Sequence, residues 1–154
     1  MSVGEICNRD TIVIGKDESI AAAAKLMRQF HIGCVVVIDR DKGVRPVGIL
    51  TDRDLVVEIL AAELDPNTVS VGDVMSHRLV TARDDEDLWE VLKRMRSTGV
   101  RRIPVVDSQG ALLGILSSDD LLELLAEELG QLARIVGKER EREQRLREEL
   151  TGLG

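Results

Sequence analysis

The sequence predicts an α/β fold in which two pseudo-symmetric β-α-β-β-α repeats pack as one module, followed by a C-terminal helical extension. Three observations predict it. A block of residues recurs at a fixed spacing, each copy runs through the same succession of strand-like and helix-like patterns, and a leucine seam follows the second copy.

The repeat organises everything else. Ile20 to Asp39 aligns with Leu88 to Asp107 at a constant offset of 68, so that Ile20 falls on Leu88, Met27 on Met95 and Asp39 on Asp107. After these aspartates the offset drops to 66, because the loop Arg40 to Val47 has eight residues where Ser108 to Leu113 has six. Loops tolerate such length changes. Gly48 to Asp54 (GILTDRD) then matches Gly114 to Asp120 (GILSSDD).

In the first copy, Thr11 to Ile14 is short and β-branched and predicts a strand. Asp17 to Ser19 supply capping side chains for a helix over Ile20 to Phe30, rich in alanine with Leu26 and Met27. Cys34 to Ile38 is a continuous valine-rich run, the pattern of a strand covered on both faces. Asp39, Asp41 and Gly43 make a turn, Val47 to Leu50 a third strand, and Thr51 or Asp52 caps a helix running to about Glu63. The second copy repeats the order with Val80 to Ala82, Asp87 to Thr98, Ile103 to Val106, Leu112 to Leu116, and a helix from Ser117 onward. The connector Leu64 to Gly72 carries Pro66, Asn67 and Ser70 and predicts a loop before a short helical turn at Val71 to Ser76. The boundaries that follow are residues 1–63 for the first repeat, 64–72 for a linker, 73–128 for the second repeat and 129–154 for the extension.

Composition bounds the function. With 154 residues, 44% of them hydrophobic, the chain can bury a core without disulfides or metal. Phe30 and Trp89 are its only aromatics, so that core is aliphatic. A net charge of -7 and a pI near 4.9 argue against nucleic acid as a partner. Cys7 and Cys34 have no CxxC spacing, which suggests neither a zinc site nor a disulfide framework. The opening MSVGEICNRD lacks a basic start and an apolar h-region, and no run of eighteen apolar residues occurs, so the expectation is a cytoplasmic protein without a membrane partner.

The doubled Gly-hydrophobic-hydrophobic-Ser/Thr-x-x-Asp motif, together with Gly99 to Asp107 (GVRRIPVVD), resembles the CBS-domain family, whose tandem pair is often called a Bateman module. The resemblance spans about Val3 to Glu127 and is to the stand-alone bacterial and archaeal type. It implies two pseudo-symmetric clefts between the repeats that take AMP, ADP, ATP, NAD or S-adenosylmethionine, and a homodimer through the CBS helices.

The residue chemistry agrees with such a ligand. Ser117 and Asp120 stand three apart at a strand-to-helix junction, on one face of the first turn. The helix N-terminus favours phosphate oxygens, the Ser117 hydroxyl can donate, and the Asp120 carboxylate suits the two hydroxyls of a ribose. Gly114 lets a ligand or a neighbouring backbone come close to the strand. Val80, Ile103 and Pro104 could form an aliphatic slot for a flat base. By resemblance, Thr81 meets the adenosine end, and Arg101 or Arg102 reaches the phosphates. A Ser/Thr-x-x-Asp at a helix start is also a capping arrangement that needs no ligand, and its duplication is what turns the balance. In the first repeat Thr51 and Asp54 are intact, but Val13 stands where the second has Thr81, and Cys34 where it has Arg102. The cleft built on Ser117 and Asp120 is therefore expected to bind more tightly than the one built on Thr51 and Asp54.

Other residues point less far. His31 and His77 lack a second ligand at helical spacing, and surface or capping roles suit them. No nucleophile-and-base pair, Walker loop or GxGxxG occurs, which favours a binder over an enzyme. In the extension, Leu122, Leu125, Leu129, Leu132 and Val136 follow 3-4 spacing, a seam for a dimer-forming or partner-docking helix. Glu139 and Glu143 interrupt it before Leu146 and Leu150, and Gly130 and Gly137 weaken the helix by roughly 1 kcal/mol each relative to alanine. The expected function is an energy- or redox-state sensor with no catalytic cofactor, whose adenine-nucleotide occupancy is passed to an unknown protein target. The alternatives are an S-adenosylmethionine binder and a ligand-free dimerisation scaffold.

Overall fold

A computed structural model describes residues 1–152. The elements run α1 (Val3–Ile6), β1 (Val13–Gly15), α2 (Ile20–Phe30), β2 (Cys34–Ile38), β3 (Pro46–Thr51), α3 (Asp52–Asp54) leading into a π-helical run (Leu55–Leu60), α4 (Val71–Val74), β4 (Ala82–Arg83), α5 (Leu88–Thr98), β5 (Arg102–Val106), β6 (Leu112–Ser117) and α6 (Ser118–Gly152). Residues Met1–Ser117 form one compact unit, and the described residues from Ser118 onward a second.

Each repeat of the first unit builds a three-stranded sheet, in the orders β1-β2-β3 and β4-β5-β6. The outer pair is parallel, joined through a helix, and the inner pair is an antiparallel hairpin. A register slip falls between Val37 and Ile38 in one sheet and between Val105 and Val106 in the other. The central strands are apolar throughout because both faces are covered: Val35, Val36, Val37, Ile103 and Val105 are fully buried.

Helix α2 starts where Ser19 accepts a hydrogen bond from the Ala22 N–H, and it buries Ile20, Ala23 and Met27. It ends at His31, which adopts a left-handed conformation with φ 51°. Helix α5 starts at Asp87, buries Leu88, Val91 and Met95, and ends at Gly99 with φ 69°. Met27 and Met95, which the repeat aligns, are thus both buried.

Strand β4 is shorter than β1, and Pro104 explains it. Val36, the matching residue of β2, donates its N–H to Ile12 O at 3.0 Å. Proline has no such donor, so the pairing begins only at Ala82 with Val105.

The segments ahead of each repeat exchange places. Helix α1 precedes the first repeat but packs on β4 and β6 of the second, with Val3 N–H to Glu86 O at 3.0 Å and Gly4 N–H to Asp84 O at 2.9 Å. Helix α4 precedes the second repeat but packs on β3 of the first, with Val71 N–H to Glu18 O and Gly72 N–H to Lys16 O, both at 2.8 Å. Val3 and Gly4 lie 68 residues before Val71 and Gly72, so the repeat extends further toward the N-terminus than Ile20. The chain after each short helix then crosses a glycine of the neighbouring strand. A Cβ on Gly48 would lie 2.5 Å from Met75 Sδ, and one on Gly114 would lie 2.5 Å from Asn8 O. Of the two partners considered for Gly114, the structure places a neighbouring backbone there.

The second unit is one continuous helix, α6, of 35 residues. No helix among the described residues is long and apolar enough to cross a membrane.

Candidate functional site

The exchange of leading segments creates a cleft. Ser76 donates its N–H to Ile49 O at 3.0 Å, which lays the chain from Ser76 to Val80 beside the end of β3. From the second repeat, the turn after α5 brings in Val100, Arg101 and Arg102. The cleft has a volume of about 280 Å³ and is lined by Ile49, Thr51 and Asp54 on one side and by Ser76, Arg78, Leu79, Val80, Val100, Arg101 and Arg102 on the other. That volume is close to the lower end of small-molecule sites, roughly 300–1,000 Å³. Ile49, Leu79, Val80 and Val100 give it apolar walls, as sites for flat heterocycles require.

Its polar end is ordered by the start of α3. The Thr51 N–H donates to Asp54 Oδ2 at 2.9 Å, and the Asp54 N–H donates to Thr51 Oγ1 at 3.3 Å. This reciprocal box is the capping arrangement that the motif alone also allowed. Both side chains nonetheless line the cleft. The box leaves the Thr51 hydroxyl proton as a donor and the second Asp54 oxygen as an acceptor, and it fixes the direction of both. The π-helical run begins at the next residue, Leu55, and such departures from α-geometry are frequent at functional sites.

The charges lining the cleft are Asp54 against Arg78, Arg101 and Arg102. In a chain of net charge -7 the cleft thus gathers three cations against one carboxylate, which favours an anionic occupant. Cys34, opposite Thr51 in the β2–β3 register, senses the same charges. Burial pushes its thiol pKa up, the Arg102 guanidinium pulls it partly back, and Asp52 and Asp54 raise it further. It stays a protonated thiol at neutral pH.

Of the residues singled out in the sequence, Thr51, Asp54, Val80, Arg101 and Arg102 line this cleft. Ile103 and Pro104 are buried in β5 and are not wall residues of it. Thr81 accepts a hydrogen bond through its backbone oxygen from Arg94 at 2.9 Å. Val13 pairs with Val36 in the first sheet. Ser117 ends β6, opposite Arg102, and closes the first unit, while Asp120 lies in the opening turn of α6 in the second.

The sequence reading grouped Val80, Arg101 and Arg102 with Ser117 and Asp120. In the structure these three stand with Thr51 and Asp54. The physical reason is the crossover at Ser76, which carries the second repeat's approach to its own sheet past the first repeat's helix start. Arg78, Leu79 and Val100 were missed. The signal for Arg78 and Leu79 was weak, since only the length of the link between Ser76 and Val80 places them near Thr51, whereas Val100 adjoins the Arg101 that the sequence did single out.

These features match a known family. The CBS domain family description matches residues 3–61 and again residues 71–127. The chain belongs to the CBS-domain family and carries two CBS repeats in tandem. An uncharacterized protein of Methanopyrus kandleri is 36% identical over 124 residues, which is 80% of this chain and 62% of that protein, so the chain spans less than two thirds of that relative. Hypoxic response protein 1 of Mycobacterium tuberculosis is 36% identical over 123 residues, 80% of this chain and 84% of that one. Among solved structures, Hypoxic Response Protein I with two coordinated zinc ions has a TM-score of 0.70 at 33% identity, covering 80% of this chain and 98% of that one. A CBS domain pair in complex with 5′-methylthioadenosine and S-adenosyl-L-methionine has a TM-score of 0.71 at 26% identity, covering 83% and 98%. The cytosolic domain of the Mg2+ channel MgtE in complex with ATP has a TM-score of 0.68 at 27% identity, covering 80% and 48%. Among the described residues of this chain, no group of three or more His, Cys, Asp or Glu side chains could hold a metal ion.

Proposed function

We propose that the chain is a regulatory binder, not an enzyme, that takes an adenine nucleotide (AMP, ADP, ATP or NAD) in the cleft between Thr51–Asp54 and Arg78–Val80. The observation that carries this reading is the meeting of one helix-start hydroxyl and carboxylate with three arginines across an apolar gap. The ribose diol donates to Asp54, the base lies between Ile49, Leu79, Val80 and Val100, and the arginines take the phosphates as charge-assisted, forked donors. The ATP complex of the MgtE domain supports a nucleotide in a fold of this kind. Occupancy acts through linkage: the nucleotide shifts the chain's conformation by its difference in affinity for two states, and a separate protein reads the shift. The working form is a cytoplasmic homodimer through the CBS helices.

S-adenosylmethionine is the second reading, favoured by the complex of a similar CBS pair. Its sulfonium is cationic, and the three arginines disfavour it here. We also propose an order of the two clefts opposite to the one expected from the sequence. At the positions equivalent to Arg78, Arg101 and Arg102 the other half of the repeat carries Asp10, Gly33 and Cys34, so the phosphate-binding cleft is the one built on Thr51 and Asp54.

A thermal-shift series with AMP, ADP, ATP, NAD, S-adenosylmethionine and adenosine tests the reading. A nucleotide at about 100 times its Kd adds about 2.7 kcal/mol of stability. The order expected is phosphorylated ligands above adenosine, and adenosine above S-adenosylmethionine. No shift with any of them leaves the ligand-free scaffold as the better account.

A further inference from the structure

Helix α6 leaves an apolar seam open along its first five turns. Leu122, Leu125, Leu129, Leu132, Ile135 and Val136 are each between 40% and 66% exposed. Contiguous exposed leucines on a helix mark a pairing face. Beside the seam run Ala126, Gly130, Ala133 and Gly137, and nothing lies within 4 Å of where a Cβ would stand on either glycine. Small residues there let a second helix axis come close, since the spacing of packed helices depends on the side chains at the contact.

The charge distribution says what that second helix is. From residue 118 to 132 the helix carries five carboxylates and no cation; from 134 to 143 it carries four cations against three carboxylates, and Arg145 and Arg147 follow. Two copies laid parallel would stack the acidic stretch on itself and the basic stretch on itself. Two copies laid antiparallel set each acidic stretch along the other's basic stretch, and oppose their helix dipoles. Facing Leu129 with Leu132 in that orientation also faces Leu125 with Val136 and Ala126 with Ala133. It brings Asp119 near Arg140, and puts Glu128 and Lys138 on the same side of the pair.

We propose that α6 pairs antiparallel with α6 of a second copy of this chain, over about residues 119–143, and so forms a dimer contact additional to any between the repeats. The pairing is independent of the nucleotide reading.

Lys138 is the only lysine of α6, and the unaltered chain can report its neighbour. Full-length protein of two isotopic labels is mixed and treated with a carbodiimide, which joins an amine to a carboxylate without a spacer. The result expected is a peptide pair of mixed label joining Lys138 to Glu128 or to another carboxylate in residues 119–128. Within one helix, Lys138 and Glu128 lie about 15 Å apart, beyond the reach of such a bond. A chain that stays monomeric throughout a concentration series overturns the proposal, as does a dimer in which Lys138 joins only carboxylates of residues 139–149. The double variant Leu129→Glu/Leu132→Glu is expected to lose the mixed-label link at least tenfold. It keeps the thermal shift with ATP seen for the unaltered chain, which separates a failure of the pairing from a failure of the nucleotide site.

Discussion

The first and second repeats lay down the same three-stranded sheet with the register slip at the same place, yet they bring different chemistry to the strand ends. Where the second repeat enters β5 through Arg101 and Arg102, the first enters β2 through Gly33 and Cys34. Where the first repeat follows β3 with a capping box and a π-helical run, the second follows β6 with one long α-helix. Because the leading segments exchange, cations of the second repeat line the same cleft as the first repeat's carboxylate. The lesson is that in a duplicated fold the lining of a cleft need not belong to either copy.

The same contrast runs through the caps. Glu18 and Glu86 hold equivalent places, each accepting a backbone N–H at 2.7 Å, from Gly15 and Arg83 respectively. Each then recruits a cation from a different element: Arg40 at 3.1 Å in the first repeat and Arg94 of α5 in the second. Both carboxyls are held below their ordinary range. For Glu18 the Gly15 hydrogen bond is the main cause, and for Glu86 it is Arg94.

The largest effect expected from disturbing this pairing is at the crossings. Gly114→Ala places a methyl against the backbone oxygen of Asn8, which cannot swing aside, and should cost about 1–3 kcal/mol. Gly48→Ala meets the flexible end of Met75 first and should cost less. Urea denaturation of both variants measures the difference, and equal midpoints would mean that the two crossings are mechanically alike.

Smaller changes are expected at the helix ends. Gly99→Ala forces alanine into a left-handed conformation and should cost about 1 kcal/mol. His31→Gly relieves the same strain in the first repeat and should add about 0.5 kcal/mol. Midpoints moving in opposite directions would confirm that one geometry is filled by two residues of unequal fitness.

The smallest is a pH effect at the Lys16–Asp39 pair of the first repeat. Asp39 is buried, and Lys16 Nζ donates to its Oδ2 at 2.8 Å, which holds its carboxyl below the usual range. Between that lowered value and about pH 4 the unfolded chain binds more protons, so stability should fall as the solution is acidified through this window. Lys16→Met should flatten the fall. An unchanged acid limb in denaturation curves below about pH 4 would assign the loss to other carboxylates.

Most of the local structure was legible in the sequence. The spans Ile20–Phe30 and Cys34–Ile38 follow from composition and capping and appear as such. Periodicity could not show that α1 belongs with the second sheet and α4 with the first, because the exchange is a property of chain paths. It could not show the π-helical run either, since Leu55–Leu60 has an ordinary helical composition. For the site, the motif identified Thr51 and Asp54 as polar groups at a helix start. Which arginines face them depended on the crossover at Ser76, and similarity between the repeats suggested the opposite grouping.

The central claim is that Asp54 of one repeat and Arg102 of the other hold the same ligand. Calorimetric titration of ATP into the unaltered chain, Asp54→Ala, Arg102→Ala and the double variant measures it. Each single change should weaken binding about tenfold or more, with the double variant losing less than the product of the two, as interacting partners do. Full-strength binding by either single variant would contradict the account.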